Sequence, residues 1–405
     1  MLEHDTLQTA DFFPATRANA LTRLDAFTAA MAQTYTEERN SDYGPEDRSN
    51  VSCLSPFHAH RLLMESETVE RALSEHGLQQ AEKFIQEVYW RTYFKGWLEL
   101  RPSVWTRYKS AVRDAIDGLK GERKTAYERA IAGETEIDCM NAWAKELTQS
   151  GYLHNHARMW YASIWIFTLK LPWVLGADFF YRHLLDGDAA SNTLSWRWVA
   201  GLHTQGKNYA ASAGNIQRYT EGRFFPEGQL AVDPAPLEDD WNGKAGGVPV
   251  VKAPEPGRKT ILLLHEDDCG WDSLDLSGLE LVGVAGMTVT DDRSPYGASE
   301  LAKQFAIEAV EDALNRADDG LPVDAIKLAS PSSLIDLAEK TGAEQVVYPY
   351  APIGPVQDRL NAARTQWSEA GLSYGEILRD YDRSAWPHCG KGFFALKKQI
   401  PKLVR

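Results

Sequence analysis

The feature that most constrains the fold is a change of pattern near the middle of the chain. Between Pro226 and Lys259 the sequence is rich in proline, glycine and aspartate and keeps no helix or strand period, which is typical of a linker. A chain of 405 residues is too long for one typical core, and each side of this segment is long enough to bury its own interior. We therefore predict one domain over residues 1–225, a linker over 226–259 and a second domain over 260–405.

The two sides of the linker follow different periodicities. Before it, segments such as Ala81–Leu100 repeat apolar residues three and four positions apart, and Pro102 follows as a helix stop. After it, short β-rich runs alternate with helical runs, which indicates a parallel sheet with crossover helices. The β-rich runs are Thr260–His265, Leu279–Gly286, Asp324–Ala329 and Glu344–Tyr350. The prediction is a mainly α-helical N-terminal domain and an α/β C-terminal domain.

Charge is divided unequally between the two domains. Residues 1–225 carry 25 Lys and Arg against 28 Asp and Glu, whereas residues 226–405 carry 18 against 29. The acidic second domain argues against unspecific binding of nucleic acid there, because phosphate contacts depend on lysine and arginine. The first domain is near neutral and has room for a local basic patch.

Cysteine use and hydropathy indicate a reducing compartment. The 4 cysteines are far apart and fit neither a disulfide framework nor the spacing of metal ligands, so we expect no metal. No charged leader followed by an apolar run opens the sequence, and we expect a cytoplasmic protein. The most apolar span, Met159–Leu169, has 11 uncharged residues and is too short for a membrane helix. It predicts a buried core helix and no membrane partner.

The stretch LLDGDAASNTLSW, Leu184–Trp196, places a glycine between two aspartates. Its simplest interpretation is a turn that ends one helix and lets Asp188 cap the next, which then runs to Gly201. On this interpretation neither aspartate has a function beyond the helix junction.

The helix before that stretch makes a second interpretation possible. Asn155, Arg158 and Met159 share one face of a helix whose neighbours are almost entirely apolar. A buried arginine needs a carboxylate partner, because an unpaired internal charge is very costly. Asp186 or Asp188 could supply it.

These motifs resemble the photolyase/cryptochrome family. The pattern G-x-x-H-N-x-x-R-M at Gly151–Met159 and the pattern L-x-D-G-D-x-A-x-N-x-x-x-W-x-W at Leu184–Trp198 are similar to the flavin-binding core of that family. The similarity extends through FFPATRANALTRLDAF near the start, RSNVSCLSPFHAHRLL at Arg48–Leu63 and EVYWR at Glu87–Arg91, and it covers most of residues 11–200.

The resemblance implies an FAD site with a role for each matching residue. Tyr43, Ser52, Ser55 and the backbone around Leu54 would hold the pyrophosphate, with Arg91 in the same cradle. Arg158, paired with Asp186, and Asn155 would lie along the isoalloxazine, while Asp188 would accept from the ring edge or the ribitol. Asn192 would face the redox-active ring nitrogen. The complete implied FAD set is Tyr43, Ser52, Leu54, Ser55, Phe84, Arg91, Asn155, Arg158, Asp186, Asp188 and Asn192.

The resemblance also implies residues that act on a lesion. Glu87 and Trp90 match the pair that contacts a cyclobutane pyrimidine dimer, one by a hydrogen bond and one by stacking on the flipped-out bases. Asn155 and Met159 match the cyclobutane-dimer type, and Asn192 is the residue of most photolyases. Taken singly, Glu87 is also typical of a helix surface, Trp90 of a core and Asn192 of an ordinary polar helix position.

An electron relay is implied as well. Trp196 and Trp173 match its two inner members. The outer member has no clear counterpart, and Trp105, Trp165 or a tyrosine are the alternatives.

Three departures from the family pattern bear on function. His156 stands where many photolyases have a DNA-contacting arginine, and the segment after Trp198 lacks the usual PYFRxFNP sequence. The domain order is also reversed, because the C-terminal α/β domain resembles the Rossmann-like antenna domain that usually comes first. The sequence does not specify a second, antenna chromophore.

Two function classes follow from the resemblance. As an enzyme, the chain would be a photolyase-like lyase that uses reduced FAD and light to split cyclobutane pyrimidine dimers in DNA, including single-stranded DNA. As a cryptochrome-like photoreceptor, it would photoreduce FAD and signal to a protein partner. A flavoprotein that has lost both roles is the third alternative.

Overall fold

The computed structural model describes residues 13–326 and 330–404. Within that part of the chain, residues 13–225 contain helices and no strand, as predicted. These helices are Arg17–Phe27 (α1), Gln33–Glu38 (α2), Ser55–Ala59 (α3), Glu65–Gln80 (α4), Glu82–Glu99 (α5), Ser103–Asp117 (α6), Gly121–Ala132 (α7), Asp138–Ser150 (α8), Asn155–Ser163 (α9), Trp173–His183 (α10), Ala189–Val199 (α11) and Ala213–Tyr219 (α12).

The local sequence signals explain where these helices begin and end. Helix α5 covers the predicted Ala81–Leu100 segment, and Pro102 directly precedes α6. The apolar span after Arg158 continues α9 into a π-helical turn, Ile164–Thr168, and most of it is buried. Asp188 caps α11 as predicted, since its carboxylate accepts a hydrogen bond from the Ser191 amide at 2.7 Å.

The second half of the chain is an α/β domain with one parallel sheet in the order β3-β2-β1-β4-β5. Its strands are Lys259–His265 (β1), Glu280–Met287 (β2), Ala325–Ile326 (β3), Gln345–Pro349 (β4) and Ser373–Ile377 (β5). Its helices are Glu300–Gly320 (α13), Pro331–Thr341 (α14), Pro355–Glu369 (α15), Asp380–Ala385 (α16), Phe393–Lys397 (α17) and Ile400–Leu403 (α18). The predicted fold class is confirmed.

Two details of the sheet differ from the sequence prediction. The predicted strand Asp324–Ala329 begins as β3, and its residues 327–329 lie outside the described part of the chain. Strand β5 was not predicted. It pairs with β4 from Gln345↔Ser373 to Pro349↔Ile377 at one edge of the sheet.

The sheet separates two apolar layers. Leu262 and Leu264 of β1 belong to the large core that continues into the helical domain. Ile261 and Leu263, whose side chains point to the opposite face, belong to a second core beneath α14 and α15. The helical domain therefore covers one side of the α/β domain.

The carboxyl end of the sheet also meets the helical domain. Strand order reverses between β1 and β4, where open α/β sheets have a crevice. Glu99 of α5 reaches this end, where its carboxylate accepts hydrogen bonds from Tyr350 Oη at 2.8 Å and the Ile353 amide at 2.7 Å. Burial raises the pKa of Glu99 to about 7.

A buried ion network joins the two domains. Arg61, which is 1% exposed, donates to Asp268 at 3.1 Å and to Asp382 at 2.6 Å. Arg379 makes a two-point contact with Asp268, at 2.7 Å for each pair of atoms. Arg61 has a φ of 48°, a left-handed conformation that costs free energy for a residue with a side chain. We conclude that surrounding contacts hold Arg61 in place.

The predicted linker follows the surface of the helical domain before it enters β1. The Leu237 amide donates to Ala200 O at 2.9 Å, and the Gly246 amide donates to Leu100 O at 2.8 Å. Asp239 accepts two hydrogen bonds from Arg197, at 2.6 and 2.9 Å. This segment is therefore anchored along its length despite having no helix or strand.

Residues 13–326 and 330–404 contain neither a membrane-spanning helix nor a metal-binding cluster. None of the helices there combines the length and the apolar character that a membrane crossing needs. No group of three or more histidine, cysteine, aspartate or glutamate side chains in those ranges is arranged to hold a metal ion.

Candidate functional site

The turn between α10 and α11 carries the two motif aspartates. Asp186 is buried and binds the guanidinium of Arg158 through both oxygens, at 3.0 and 2.9 Å. Burial alone would raise the pKa of Asp186, but the charge and hydrogen bonds of Arg158 outweigh it and lower that pKa below its usual value. Of the two possible partners for Arg158, the structure selects Asp186.

Asp188 binds the other arginine of the motif set. One carboxylate oxygen caps α11, and the second accepts a hydrogen bond from Arg91 of α5. The other Arg91 nitrogen approaches the Ser55 carbonyl oxygen at 3.5 Å, and the Ser55 hydroxyl donates to Asp186. Ser55, Arg91, Asp186 and Asp188 therefore form one cluster with Arg158, which we call the aspartate-turn cluster.

The remaining residues predicted at the pyrophosphate are less closely tied to this cluster. Ser52 accepts from the Leu54 amide at 3.4 Å, immediately before α3. Cys53 between them has a φ of 51°, so the chain turns sharply there. Tyr43 is half-buried, and within the described ranges no hydrogen bond or ion pair joins it to the cluster.

Four residues that the resemblance implies at the lesion, which we call the lesion-type residues, lie on the same two helices as the arginines of the cluster: Glu87, Trp90, Asn155 and Met159. Glu87 and Trp90 precede Arg91 on α5 by four residues and one, and Asn155 and Met159 flank Arg158 on α9. Glu87 and Asn155 are exposed, whereas Met159 is half-buried. Burial by the surrounding protein raises the pKa of Glu87 even though part of the side chain reaches solvent. That combination is typical of a carboxyl in a cleft.

Trp90 has a neighbour that the sequence did not reveal. Phe393 of α17 stacks on its indole, with ring centroids 3.8 Å apart and an interplanar angle of 11°. One face of Trp90 is thus covered by the C-terminal segment, and the side chain remains half-buried. A flipped base would have to use the other face or the ring edge.

Phe84 and Asn192 take different positions. Phe84 is buried in an aromatic cluster, with ring centroids 5.1 Å from Tyr35 and 5.9 Å from Phe27. Asn192 is buried, and its Nδ2 donates to the Ala177 carbonyl oxygen of α10 at 2.8 Å. This contact orients the amide and leaves its Oδ1 to accept from a bound group.

The two predicted inner members of the electron relay lie on α10 and α11. Trp196 of α11 packs against Gly176 of α10, where an added Cβ would lie 2.3 Å from the indole. Trp173 lies one turn before Gly176 on α10. Trp173 has two ring neighbours further out, Tyr108 at 5.8 Å and Trp241 at 5.7 Å. Trp241 is half-buried and belongs to the linker.

The predicted alternatives for the outer relay member lie in different directions. Trp105 stacks on Tyr108 at 5.4 Å and so continues the tyrosine branch. Trp165 contacts Trp196 directly at 6.2 Å but is fully buried. Sequence reasoning missed Trp241 because composition assigned its segment to a linker. A bulky aromatic residue among prolines and aspartates was the available signal.

The α/β domain supports the aspartate turn through contacts that the sequence did not predict. The His60 ring lies between two carbonyl oxygens, that of Glu266 at 2.5 Å from Nδ1 and that of Leu185 at 3.2 Å from Nε2. Arg293 donates to the Leu184 carbonyl oxygen at 3.0 Å. Burial lowers the pKa of His60 to about 4, so the neutral ring donates to one carbonyl only.

The aspartate-turn cluster has the chemistry to hold FAD. Two guanidinium groups suit the phosphates and the electron-rich ring edge, while two carboxylates and the Asn192 carbonyl suit N–H and hydroxyl donors. Within the described chain, Gln86 Nε2 and Ser191 Oγ are buried without a hydrogen-bond partner. They lie on α5 next to Glu87 and in the first turn of α11. The residues present therefore fit this cofactor.

Comparisons with known proteins agree with that fit. A family model described as the FAD binding domain of DNA photolyase matches residues 84–224. Cryptochrome DASH of Idiomarina loihiensis is 29% identical over 256 residues, which are 60% of this chain and 52% of the relative. A deoxyribodipyrimidine photo-lyase of Streptomyces griseus is 30% identical over 201 residues, 46% of this chain and 43% of the relative.

Among solved structures, the crystal structure of a bacterial class III photolyase from Agrobacterium tumefaciens aligns with a TM-score of 0.44 and 24% sequence identity. The alignment covers 55% of this chain and 46% of that photolyase. The chain spans about half the length of the curated relatives it matches. Residues 84–224 include α5, α9, α10 and α11, which carry most of the aspartate-turn cluster. Over residues 84–224 this chain is therefore similar to the FAD-binding domain of DNA photolyase.

Proposed function

We propose that this protein repairs cyclobutane pyrimidine dimers in DNA with bound FAD and light. One juxtaposition carries the proposal. Helix α5 bears Glu87 and Trp90 beside Arg91, and α9 bears Asn155 and Met159 beside Arg158. Both arginines bind the aspartate turn. The lesion-type residues are thus fixed to the same two helices as the arginines of the flavin site.

The bound cofactor would supply the electron chemistry. Arg91, Arg158 and the two aspartates of the turn would hold FAD, which would supply light-driven one-electron chemistry to this site. The protein's part is to bind and orient the lesion and to keep water from the reacting groups.

Each lesion-type residue has a role consistent with its surroundings. Glu87 offers a carboxyl group for a hydrogen bond to the pyrimidine dimer, and burial by the surrounding protein raises the pKa of that carboxyl. Trp90 offers a flipped base an aromatic surface, and Phe393 behind it fixes the plane of the indole. Met159 adds an adaptable apolar contact.

The names of several relatives support an enzyme. Deoxyribodipyrimidine photo-lyases of Streptomyces griseus and Vibrio cholerae are among them. Because this chain spans about half of such relatives, we treat the substrate as part of the proposal. Single-stranded DNA is the expected form, since extruding a lesion costs least there.

The experiment is repair in the presence of reduced FAD. Fully reduced protein, illuminated with blue light, should convert thymine dimers in a single-stranded oligonucleotide to thymines, as measured by chromatography of the digested DNA. Glu87→Ala should slow repair per absorbed photon about 10-fold or more, because it removes a hydrogen bond to the reacting base. Glu75→Ala, an exposed glutamate of α4, is the matched control and should repair at the wild-type rate.

One observation favours the photoreceptor as the second candidate. Trp173 contacts the half-buried Trp241, which gives electrons a route between the protein surface and the flavin site. If reduced, illuminated protein leaves dimers intact in single- and double-stranded DNA while light still reduces its flavin, repair is excluded and the photoreceptor takes its place.

A further inference from the structure

The C-terminal segment reverses the charge of its domain. Residues 226–382 contain 12 Lys and Arg against 29 Asp and Glu. Residues 383–405 contain 6 Lys and Arg and no acidic residue. A cluster of one sign in a chain of the opposite sign creates a local field that attracts an oppositely charged partner.

Contacts with α5 fix this segment beside Trp90. Tyr93 Oη donates to the Lys391 carbonyl oxygen at 3.0 Å, and Arg101 donates to the Gly390 carbonyl oxygen at 2.9 Å. Trp386 and Cys389 pack so closely on Gly96 that an added Cβ would lie 2.6 and 2.8 Å from them. With the stack of Phe393 on Trp90, these contacts hold the lysines next to the candidate lesion site.

The polar side of the segment points to solvent. Lys391, Lys398 and Lys402 are exposed, whereas Lys397 pairs with Glu82 of α5 at 3.4 Å. Phe394 is 73% exposed, although its neighbour Phe393 is buried. An exposed aromatic ring beside lysines is the combination that single-stranded nucleic acids bind.

We propose that the segment Lys391–Lys402 binds the sugar-phosphate backbone of single-stranded DNA, with Phe394 stacking on a base. The lysines neutralise phosphates, and Phe394 supplies a flat apolar surface that accepts any base. Because Phe393 of the same segment touches Trp90, the strand bound here would flank a base presented to Trp90. This position of the strand rests on the proposed repair function, but binding of undamaged DNA does not.

The test measures binding of an undamaged, fluorescein-labelled single-stranded oligonucleotide in the dark, by fluorescence anisotropy over a range of salt concentrations. The double variant Lys391→Gln/Lys398→Gln should bind more weakly, and the slope of log K against log salt should become shallower by about 1.4, since each lost phosphate contact contributes about 0.7. The matched control is Lys145→Gln/Lys340→Gln, which removes two exposed lysines elsewhere. It should keep the wild-type slope.

Phe394 is tested separately. Phe394→Ala should lower the affinity about fivefold or more with an unchanged salt slope, because it removes stacking and no charge. Phe394→Tyr keeps an aromatic ring and should restore the affinity. The exposure of the side chain makes both variants safe for folding.

Two results would overturn the inference. One is equal affinity and salt slope for the lysine double variant and its control. The other is a lysine double variant that binds DNA as the wild type does but no longer binds phosphatidylserine vesicles. That result would assign the segment to a lipid surface. Neither result depends on light or on dimers, so the inference can fail while repair stands. Weakened DNA binding without any repair would leave the inference intact and remove the proposed function.

Discussion

At the residue scale, each charged group of the aspartate turn has a defined partner. Asp186 binds Arg158 and Asp188 binds Arg91, so neither carboxylate is an uncompensated charge in the interior. The pairing lowers the pKa of Asp186 despite its burial. The turn is therefore organised by the protein itself. The helix-cap interpretation of Asp188 is confirmed, and its role in the flavin site stays a prediction.

Replacing Asp186 tests the importance of this pairing. Asp186→Asn leaves Arg158 without a counter-charge and should lower the free energy of unfolding by about 3 kcal/mol, the lower part of the range for a broken buried pair because Arg158 is partly exposed. The variant should also retain less FAD after purification. Denaturant unfolding and the flavin absorption of the purified protein measure the two effects.

The control for that variant is a surface pair of the same two residue types. Asp25 pairs with Arg71 at the surface, where its side chain is 59% exposed. Asp25→Asn should change stability by less than about 1 kcal/mol. Similar losses in both variants would show that the Arg158 pair has no special role.

At the scale of elements, the linker packs against the predicted electron relay. Its Asp239 binds Arg197, whose guanidinium lies over Trp173 at 5.7 Å and over Trp241 at 4.9 Å from the ring centroids. Arg197 therefore holds the linker tryptophan against α10. The carboxylate of Asp239 offsets the positive charge that would otherwise disfavour removal of an electron from either ring.

Exchange of Trp241 tests the route of electrons. With a thiol as external reductant, blue light should reduce the bound flavin several-fold more slowly in Trp241→Phe than in the wild type, because the outermost donor is lost. Trp196→Phe should slow the reaction most strongly, and Trp105→Phe tests the tyrosine branch. The rate of loss of flavin absorption under constant light is the measurement. A slow Trp105→Phe beside a normal Trp241→Phe would move the exit to Tyr108 and Trp105.

The sequence predicted those helices and strands whose apolar pattern lies within the element itself. Helix α5 follows a long apolar period and strands β1, β2 and β4 follow short β-rich runs, so the sequence predicted the bounds of these elements to within two residues. Strand β5 reads SYGEI and lies at the sheet edge, where it needs no continuous apolar run. The cost of burying an arginine predicted a carboxylate partner for Arg158 and left Asp186 and Asp188 as alternatives, while the family resemblance implied Asp186.

Contacts between distant segments could not be predicted in this way. The stack of Phe393 on Trp90 joins a residue of the α/β domain to a residue of the helical domain. The sequence around either residue gives no sign of this contact. The same is true of His60 beneath the aspartate turn, whose carbonyl partners belong to different domains. Such contacts depend on how the two domains pack, which no local period encodes.

At the scale of the whole molecule, the ion network around Arg61 couples the domains. Two of its carboxylate partners, Asp268 and Asp382, come from the loop after β1 and from α16, whereas Arg61 and its third partner, Glu65, belong to the helical domain. The aspartate turn receives support from the same loop through His60. A change in the packing of the α/β domain would thus reach the flavin site directly, and we expect the two domains to unfold together.

The last prediction concerns Arg61. Arg61→Met keeps an unbranched apolar stem but removes the guanidinium that pairs with Asp382, and should lower the free energy of unfolding by about 3–5 kcal/mol at pH 8, measured by denaturant unfolding. The loss should appear in one transition for both domains. The control is Arg383→Met, which removes the exposed pair of Arg383 with Asp380 on α16, the helix of Asp382. It should lower the free energy of unfolding by less than about 1 kcal/mol.

The pH dependence distinguishes a lost charge partner from lost packing. Burial raises the pKa of Asp382 even beside Arg61, and loss of Arg61 raises that pKa further. When the pKa of a carboxyl is higher in the folded than in the unfolded protein, the group destabilises the fold more and more as the pH rises through the interval between the two pKa values. At a pH low enough to protonate the carboxyl in both states, this destabilisation is absent. The stability difference between Arg61→Met and the wild type should therefore shrink from pH 8 to pH 5. A difference that stays constant over this range would mean that the guanidinium acts through packing alone.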